Sequence, residues 1–124
     1  MWLGIDFGTC NSSATLMRGW IPFVVRDSRF TPGDSFPSSV YVTKQNQVVV
    51  GHEAYNQRLR DSSRYKEQFK RDLGKSAPYQ IGGCQFRPED LVVEVIRKLK
   101  REAEKMISGS LTRVVLTVPA THSD

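Results

Sequence analysis

The segment that most constrains the fold of this chain is residues 3–12, in which an apolar strand runs directly into a glycine turn. Around this turn lie the carboxylate of Asp6, the hydroxyls of Thr9 and Ser12, and several backbone amides. Amides that follow one another around a turn form a concavity for an anion, most often phosphate. Because a carboxylate repels phosphate, Asp6 fits there only if Mg2+ and its waters lie between them. The segment therefore predicts a site for a metal-bound nucleotide.

Two better-known phosphate loops do not fit this chain. A P-loop needs Gly-x-x-x-x-Gly-Lys-Ser/Thr and a dinucleotide fold needs Gly-x-Gly-x-x-Gly, each at the start of a helix. Neither spacing occurs. Instead, residues 13–17 alternate like a strand, and residues 21–25 read as a third strand. The pattern thus predicts a phosphate site in a strand–turn–strand hairpin, and the alternative is a plain hairpin with a Gly-Thr turn.

Composition narrows the class of protein. The chain has 124 residues, 39% hydrophobic and 25% charged, which is typical of one globular domain and not of a disordered or membrane chain. No apolar run is long enough for a bilayer, and the first strand begins at Trp2, so we expect no secretory signal and a cytoplasmic protein. Cys10 and Cys84 have neither metal-ligand spacing nor a redox pairing, and both are expected to stay reduced.

The net charge of +5 could attract a negatively charged partner, such as nucleic acid or a membrane surface. The positive residues concentrate in 58–75 and 97–105, and both stretches look helical, so a solvated polar face accounts for them. No aromatic residues are interleaved for base stacking. We therefore expect neither nucleic-acid nor membrane binding, although a basic binding module stays open as an alternative.

The rest of the chain predicts a sequence of hairpins and helices. The predicted elements are a hairpin over 36–50 with its tip near Asn46, helices over 52–59 and 64–73, a hairpin over 79–86, a helix over 88–108 and a strand over 113–119. In the long helix, Pro88 suits the first turn and Gly109 follows the end. Its predicted buried stripe is Val92, Val95, Ile96, Leu99, Ala103, Met106 and Ile107.

The last strand is apolar without interruption, which is typical of a parallel strand covered on both faces. A long helix followed by such a strand predicts a crossover connection back into the first sheet.

Several blocks of the chain resemble a known family. The opening Asp6-Phe7-Gly8-Thr9 is similar to the phosphate-1 motif of the actin-like ATPase superfamily. Later blocks resemble its seventy-kilodalton heat-shock chaperones of DnaK type, in the same order along the chain. These blocks are Val50 to Ala54, Gln68-Phe69-Lys70-Arg71-Asp72-Leu73-Gly74, Phe86 to Leu91 with the helix that follows, and Val115-Leu116-Thr117-Val118-Pro119-Ala120 with Asp124.

The resemblance implies an α/β fold, a partial lobe of the actin-like ATPase (ribonuclease H-like) architecture. Its mixed sheet would have three antiparallel strands plus a fourth parallel to the first, one long crossover helix and a small peripheral subdomain. Residues 1–36 and 88–124 would form the core subdomain of this lobe, and residues 37–87 the peripheral subdomain.

The resemblance also implies the cofactors, ATP or ADP with Mg2+, and the residues that bind them. Asp6 would hold Mg2+ through water, and Thr9 would lie beside the γ-phosphate as a catalytic residue. Gly8 belongs to the same turn, in which the amides of Thr9, Cys10 and Asn11 would bind phosphate oxygens. Cys10 replaces a threonine that is usual in the family, which matters little if only its amide is used.

Two later positions carry implied roles. Lys70 would reach the γ-phosphate and orient the attacking water, stabilising charge during phosphoryl transfer. From the residues alone, Lys70 reads as a solvated lysine in a basic helix, and only its block gives it a catalytic role. Pro119 matches a proline that relays nucleotide state in the family, whereas Thr121 and His122 replace the usual aromatic pair.

The chain stops before the family's second phosphate motif, its adenosine motif and its peptide-binding domain. It resembles about the first third of a nucleotide-binding domain. An intact parent would be an ATPase with unfolded peptides and co-chaperones as partners, whereas this piece alone would be nearly inert and prone to self-associate through exposed apolar surface. The same opening motif also permits a fragment of an actin-like sugar kinase, against which the Lys70 block and the Val-Pro-Ala strand argue.

Overall fold

The computed structural model describes residues 1–30 and 33–117. Its main sheet consists of β1 (Trp2–Phe7), β2 (Asn11–Arg18), β3 (Ile21–Val24), β4 (Phe36–Pro37) and β10 (Arg113–Thr117). The strand order is β10-β1-β2-β3, with β4 paired to the free edge of β2 near the turn. The pairs β1–β2 and β2–β3 are antiparallel, and β10 is parallel to β1.

Two smaller sheets follow. Their strands are β5 (Ser39–Val42), β6 (Val48–Val50), β7 (Tyr65–Glu67), β8 (Tyr79–Ile81) and β9 (Cys84–Phe86). One sheet is antiparallel in the order β6-β5-β7, and the other is the hairpin β8–β9. The predicted turns are confirmed, because Asn46 and Gly82 both have positive φ, at 62° and 61°.

Alternation along β1 explains how the core forms. Leu3, Ile5 and Phe7 are buried on one face, where they join the buried side of α2 (Pro88–Glu104) in a single apolar cluster. Val40 and Val42 of β5 belong to the same cluster, so α2 packs against both the main sheet and the β6-β5-β7 sheet. Neither α2 nor the short α1 (His52–Tyr55) has the length and apolar character of a membrane span within the described residues.

The prediction of a helix over 64–73 is wrong. Residues 62–64 and 69–72 form single 3-10 turns, and Tyr65–Glu67 is a strand that pairs with β5. The spacing of Tyr65, Phe69 and Leu73 imitates a helical stripe, but β5 needs a partner on its second edge. Gln68, at φ 59°, reverses the chain between strand and turn.

The two other predicted helices are shorter than expected. The helix over 52–59 ends at Tyr55, because Ala54 is its only buried residue and Leu59 is 87% exposed. The long helix ends at Glu104, not at Ser108. Its predicted stripe is confirmed for Val95, Leu99 and Ala103, which are buried, but Met106 lies beyond the helix and is half-exposed.

The expectation that the last strand is covered on both faces is also wrong for the residues described. Val114 and Leu116 lie beside Leu3 and Ile5 in the register, on the face that α2 covers. They nevertheless remain 42% and 45% exposed, because α2 lies over β1 and β2 and not over β10. Residues 118–119 of the predicted strand lie outside the described residues.

The predicted division into a core subdomain (1–36 and 88–124) and a peripheral subdomain (37–87) stays a prediction. The main sheet and α2 come from the first set of residues, and the two smaller sheets from the second, except that Pro37 still pairs with Asn11 of β2. One continuous apolar cluster joins the two parts.

Candidate functional site

The glycine turn between β1 and β2 is tightly closed. The Gly8 amide donates to the Asn11 carbonyl oxygen at 3.1 Å, which leaves Thr9 and Cys10 at the tip. A Cβ at Gly8 would lie 2.4 Å from that same oxygen, so the turn admits no side chain at this position. The amides of Thr9 and Cys10 donate to no other described residue. The turn therefore presents backbone donors that an anion can use.

Thr9 adds an orphaned polar atom at the same place. The residue is only 7% exposed, and its Oγ1 is buried without a hydrogen-bond partner among the described residues. A buried hydroxyl without a partner is costly, which is typical of a group that awaits a ligand or water. Cys10 and Asn11, by contrast, are exposed. The turn thus combines one inward hydroxyl with an accessible rim.

Two buried serines hold the turn from behind, and sequence reasoning missed one of them. Ser38 Oγ donates to the Gly8 carbonyl oxygen at 2.8 Å and lies 2.8 Å from Ser12 Oγ. The single hydroxyl proton of Ser38 is donated to the Gly8 carbonyl oxygen, so in the serine pair the hydroxyl of Ser12 is the donor and that of Ser38 the acceptor. The Ser38 amide also donates to the Cys10 carbonyl oxygen at 2.9 Å. Ser38 is thus a positioning residue for the turn, and no local pattern marked it.

The structure brings Lys70 to the turn across 63 positions of sequence. Its Nζ donates to the Phe7 carbonyl oxygen at 3.1 Å, directly before Gly8. The neighbouring Phe69 is 1% exposed, and its ring centroid lies 6.2 Å from that of Phe7. Phe69 therefore anchors the 3-10 turn that carries Lys70, whose position beside Gly8 suits an ammonium that contacts a phosphate bound at the turn.

Asp6 is the last residue but one of β1, on the face of the main sheet opposite α2, and it is exposed. The register places it between Ser13 of β2 and Thr117 of β10, at one end of an open cavity of about 300 Å³. No cluster of three or more histidine, cysteine, aspartate or glutamate side chains suited to a metal occurs within residues 1–30 and 33–117. A single exposed carboxylate beside a phosphate turn fits Mg2+, which keeps most of its waters and takes one or two carboxylates.

A buried ionic cluster joins α2 to Asp27 and Ser28, which follow β3 in the chain. Asp27 and Glu102 are 1% and 2% exposed, and Lys98 Nζ lies 3.7 Å and 3.4 Å from their carboxylates. Burial opposes ionisation of Glu102, but the hydrogen bond from Lys105 at 2.6 Å, the charge of Lys98 and the Ser28 amide outweigh it. The pKa of Glu102 is therefore below its ordinary value of 4.5. Asp27 and Glu102 read as surface charges in the sequence, so this cluster was also missed.

The predicted site residues thus fall into two groups. Asp6, Gly8, Thr9, Cys10, Asn11 and Lys70 lie together at one end of β1. Pro119, Thr121, His122 and Asp124 lie outside the described residues.

Known proteins are similar to this chain over nearly its whole length. The family model described as "Hsp70 protein" matches residues 2–80 and 75–124. The chain is 34% identical to the "Chaperone protein DnaK" of Endomicrobium trichonymphae and 31% identical to that of Methanothermobacter thermautotrophicus. Both alignments cover 98% of this chain. They cover 20% and 21% of the relatives, so the chain spans about a fifth of their length.

A third relative, the "Chaperone protein DnaK" of Picrophilus torridus, is 34% identical over 98% of this chain and 20% of its own length. The family match extends from the glycine turn through Lys70 to the last described strand. The chain belongs to the Hsp70 protein family, and with it to the actin-like ATPase fold.

Proposed function

We propose that this chain forms the phosphate- and magnesium-binding part of a chaperone ATPase domain. The observation that carries the proposal is the contact of Lys70 Nζ with the Phe7 carbonyl oxygen, at 3.1 Å, beside a turn whose Thr9 and Cys10 amides are available. Three kinds of group for binding a nucleoside triphosphate tail thereby converge: backbone amides, one ammonium and the Asp6 carboxylate. The amides and the carboxylate come from residues 6–11, whereas the ammonium comes from Lys70, far along the sequence.

Each residue has a distinct part in the proposed chemistry. The amides of Thr9, Cys10 and Asn11 and the hydroxyl of Thr9 bind phosphate oxygens. Asp6 holds the waters of Mg2+, which neutralises phosphate charge when it is bound. Lys70 stabilises charge on the γ-phosphate and orients the attacking water. Catalysis of this kind needs donors on both sides and exclusion of water, so the chain alone should bind nucleotide weakly and turn over little of it.

The wider roles follow from the relatives, whose names are those of chaperones. We propose that the parent protein couples ATP hydrolysis to its affinity for unfolded peptides, works with co-chaperones and is cytoplasmic. Self-association of the chain through exposed apolar surface stays a prediction. The sugar-kinase alternative is not favoured, because the family match includes the Lys70 block.

The test of this assignment uses the parent protein that contains this chain. Replacing Lys70 with alanine should lower ATP turnover about 10²- to 10³-fold, the usual cost of removing one donor that stabilises transition-state charge. The matched control is Arg71→Ala, since Arg71 is the next cation and is exposed. Steady-state phosphate release measures both variants. Turnover that survives Lys70→Ala unchanged would contradict the role of Lys70.

A second measurement addresses binding in the 124-residue chain itself. Titration with Mg-ADP, followed by amide NMR, should shift the Gly8, Thr9 and Cys10 resonances, and Asp6→Asn should weaken that response. Shifts confined to other parts of the chain would count against a phosphate site at the turn.

A further inference from the structure

The β6-β5-β7 sheet carries a second polar cavity, away from the glycine turn. It has a volume of about 410 Å³ and lies over the end of β5. Tyr41 and Lys44 border it from the β5–β6 hairpin, and Gln57 and Arg60 border it from the segment after α1. Strand alternation places Tyr41 on the face opposite Val40 and Val42, which belong to the core. The cavity is therefore on the outer face of this sheet.

The groups around this cavity are mainly hydrogen-bond donors without partners. Tyr41 is only 4% exposed as a whole residue, but its hydroxyl is not one of the buried atoms that lack a partner. The hydroxyl forms no hydrogen bond with the described residues, and it is open to the cavity. Neither Lys44 nor Arg60 forms an ion pair with a carboxylate in residues 1–30 and 33–117.

The one carboxylate that borders the cavity is already engaged. Asp61 Oδ1 accepts from the Ser63 hydroxyl at 2.6 Å and from the Ser63 amide at 3.1 Å, and Oδ2 lies 3.4 Å from Arg64 Nε. The hydrogen bonds from Ser63 hold the pKa of Asp61 below its ordinary value, and the more distant charge of Lys44 contributes less. Two cations and one committed carboxylate leave the cavity with a net charge of +1.

We propose that this cavity binds a phosphate-type oxyanion, either inorganic phosphate or the phosphate of a small molecule. A tetrahedral oxyanion can accept from a hydroxyl, an ammonium and the two-pronged guanidinium of Arg60 at the same time. The cavity is larger than one phosphate ion, so it has room for the small molecule that carries one.

This site is separate from the nucleotide site proposed above. The cavity that adjoins the glycine turn is bordered by Cys10, Asn11 and Ser39. Since a strand rises about 3.3 Å per residue, Thr43 lies about 13 Å along the chain from Ser39. One phosphate cannot contact both the turn and Lys44, and the two proposals can fail independently.

The experiment titrates the 124-residue chain with inorganic phosphate and, separately, with pyrophosphate, at constant ionic strength held with sodium chloride. Amide NMR should show saturable shifts at residues 43–45 and 57–61. Lys44→Ala and Arg60→Ala should each weaken phosphate binding about tenfold, the usual effect of losing a hydrogen bond from a charged donor. Tyr41→Phe should weaken it several-fold without unfolding the chain.

Two controls make the result decisive. Lys100→Ala removes an exposed lysine of α2 that pairs with Glu104 instead, and it should leave phosphate affinity unchanged. Asp6→Asn should weaken the response of the glycine turn to Mg-ADP but leave the response of residues 43–45 to phosphate unchanged. Equal phosphate affinity in the wild type, Lys44→Ala and Arg60→Ala would overturn the proposal, as would shifts that spread over all basic segments.

Discussion

The glycine turn and the cavity over β5 both present donors to an anion, but the fold holds those donors in different ways. At the turn the donors are backbone amides, and the contacts that support them come from Ser38 and Lys70, 30 and 63 positions away. At the cavity the donors are side chains from two short segments, residues 41–45 and 57–61. The turn therefore depends on the whole fold, whereas the cavity depends on local structure.

This difference has consequences for precision. Backbone amides in a turn with no room for a Cβ cannot adapt to their ligand, so they are preorganised for one geometry. Long side chains such as Lys44 and Arg60 can change conformation to fit an anion, but they lose conformational entropy when they bind it. We expect the turn to be sensitive to small changes in packing and the cavity to tolerate them.

The strongest test of the comparison is Gly8→Ala. The new Cβ would lie 2.4 Å from the Asn11 carbonyl oxygen, so the turn must open. We expect a loss of about 3 kcal/mol in the free energy of unfolding, measured with urea, and loss of the Mg-ADP response at the turn. Gly83→Ala, also in a hairpin turn but with open space around its Cβ, is the control and should change stability little. Equal effects of the two would show that the turn is not tightly closed.

A smaller effect is expected from Ser38→Ala, which removes the support behind the turn. It leaves the Gly8 carbonyl oxygen and the Ser12 hydroxyl without their partners. The free energy of unfolding should fall by about 2 kcal/mol. Mg-ADP binding should weaken with it. Ser12→Ala is the matched variant, because it removes a buried hydroxyl but leaves the bond from Ser38 to Gly8. Ser12→Ala should lower the free energy of unfolding by about 1 kcal/mol and leave the affinity for Mg-ADP unchanged. If both variants weaken Mg-ADP binding alike, Ser38 does not position the turn.

The smallest effect concerns Glu102, which accepts a hydrogen bond from the backbone amide of Ser28. Its pKa is lowered in the folded state, so its carboxylate stabilises the fold fully above about pH 4.5, and this contribution is lost as the pH falls through the folded pKa. Glu102→Gln should therefore cost about 1 kcal/mol at pH 7 and progressively less as the pH drops below 4.5. Urea denaturation at several pH values measures this dependence.

The control for Glu102 is Glu104→Gln, which removes a half-exposed carboxylate two positions away. It should change stability by no more than about 0.5 kcal/mol at any pH, as is usual for surface ion pairs. A constant difference between Glu102→Gln and the wild type across the pH range would contradict the lowered pKa.

Much of the fold could be predicted from local pattern. The hairpin turns at Asn46 and Gly82 follow from residues that tolerate positive φ, and the buried side of α2 follows from its helical spacing. The helix predicted over 64–73 failed because pairing with β5 overrides the propensity of residues 65–67. The helix over 52–59 failed because a short segment with one buried residue gains too little from packing.

The candidate site shows the same division. The glycine turn and Asp6 were predictable, because glycine, hydroxyl and carboxylate groups follow one another within ten residues. Lys70 could be assigned through the resemblance of its block, but its distance from the turn could not. Ser38 and the Asp27–Glu102 cluster had no sequence pattern, since a serine or a carboxylate becomes notable only once it is buried.

The sequence by itself determined which segments alternate, where the chain must turn and which short stretch is the candidate phosphate site, because these properties depend on neighbouring residues. The tertiary structure alone decided that Ser38 and Lys70 meet at Gly8, that residues 65–67 form a strand, and that Glu102 is buried among lysines. Contacts across tens of residues arise from the packing of α2 against both sheets, and no local pattern encodes that packing.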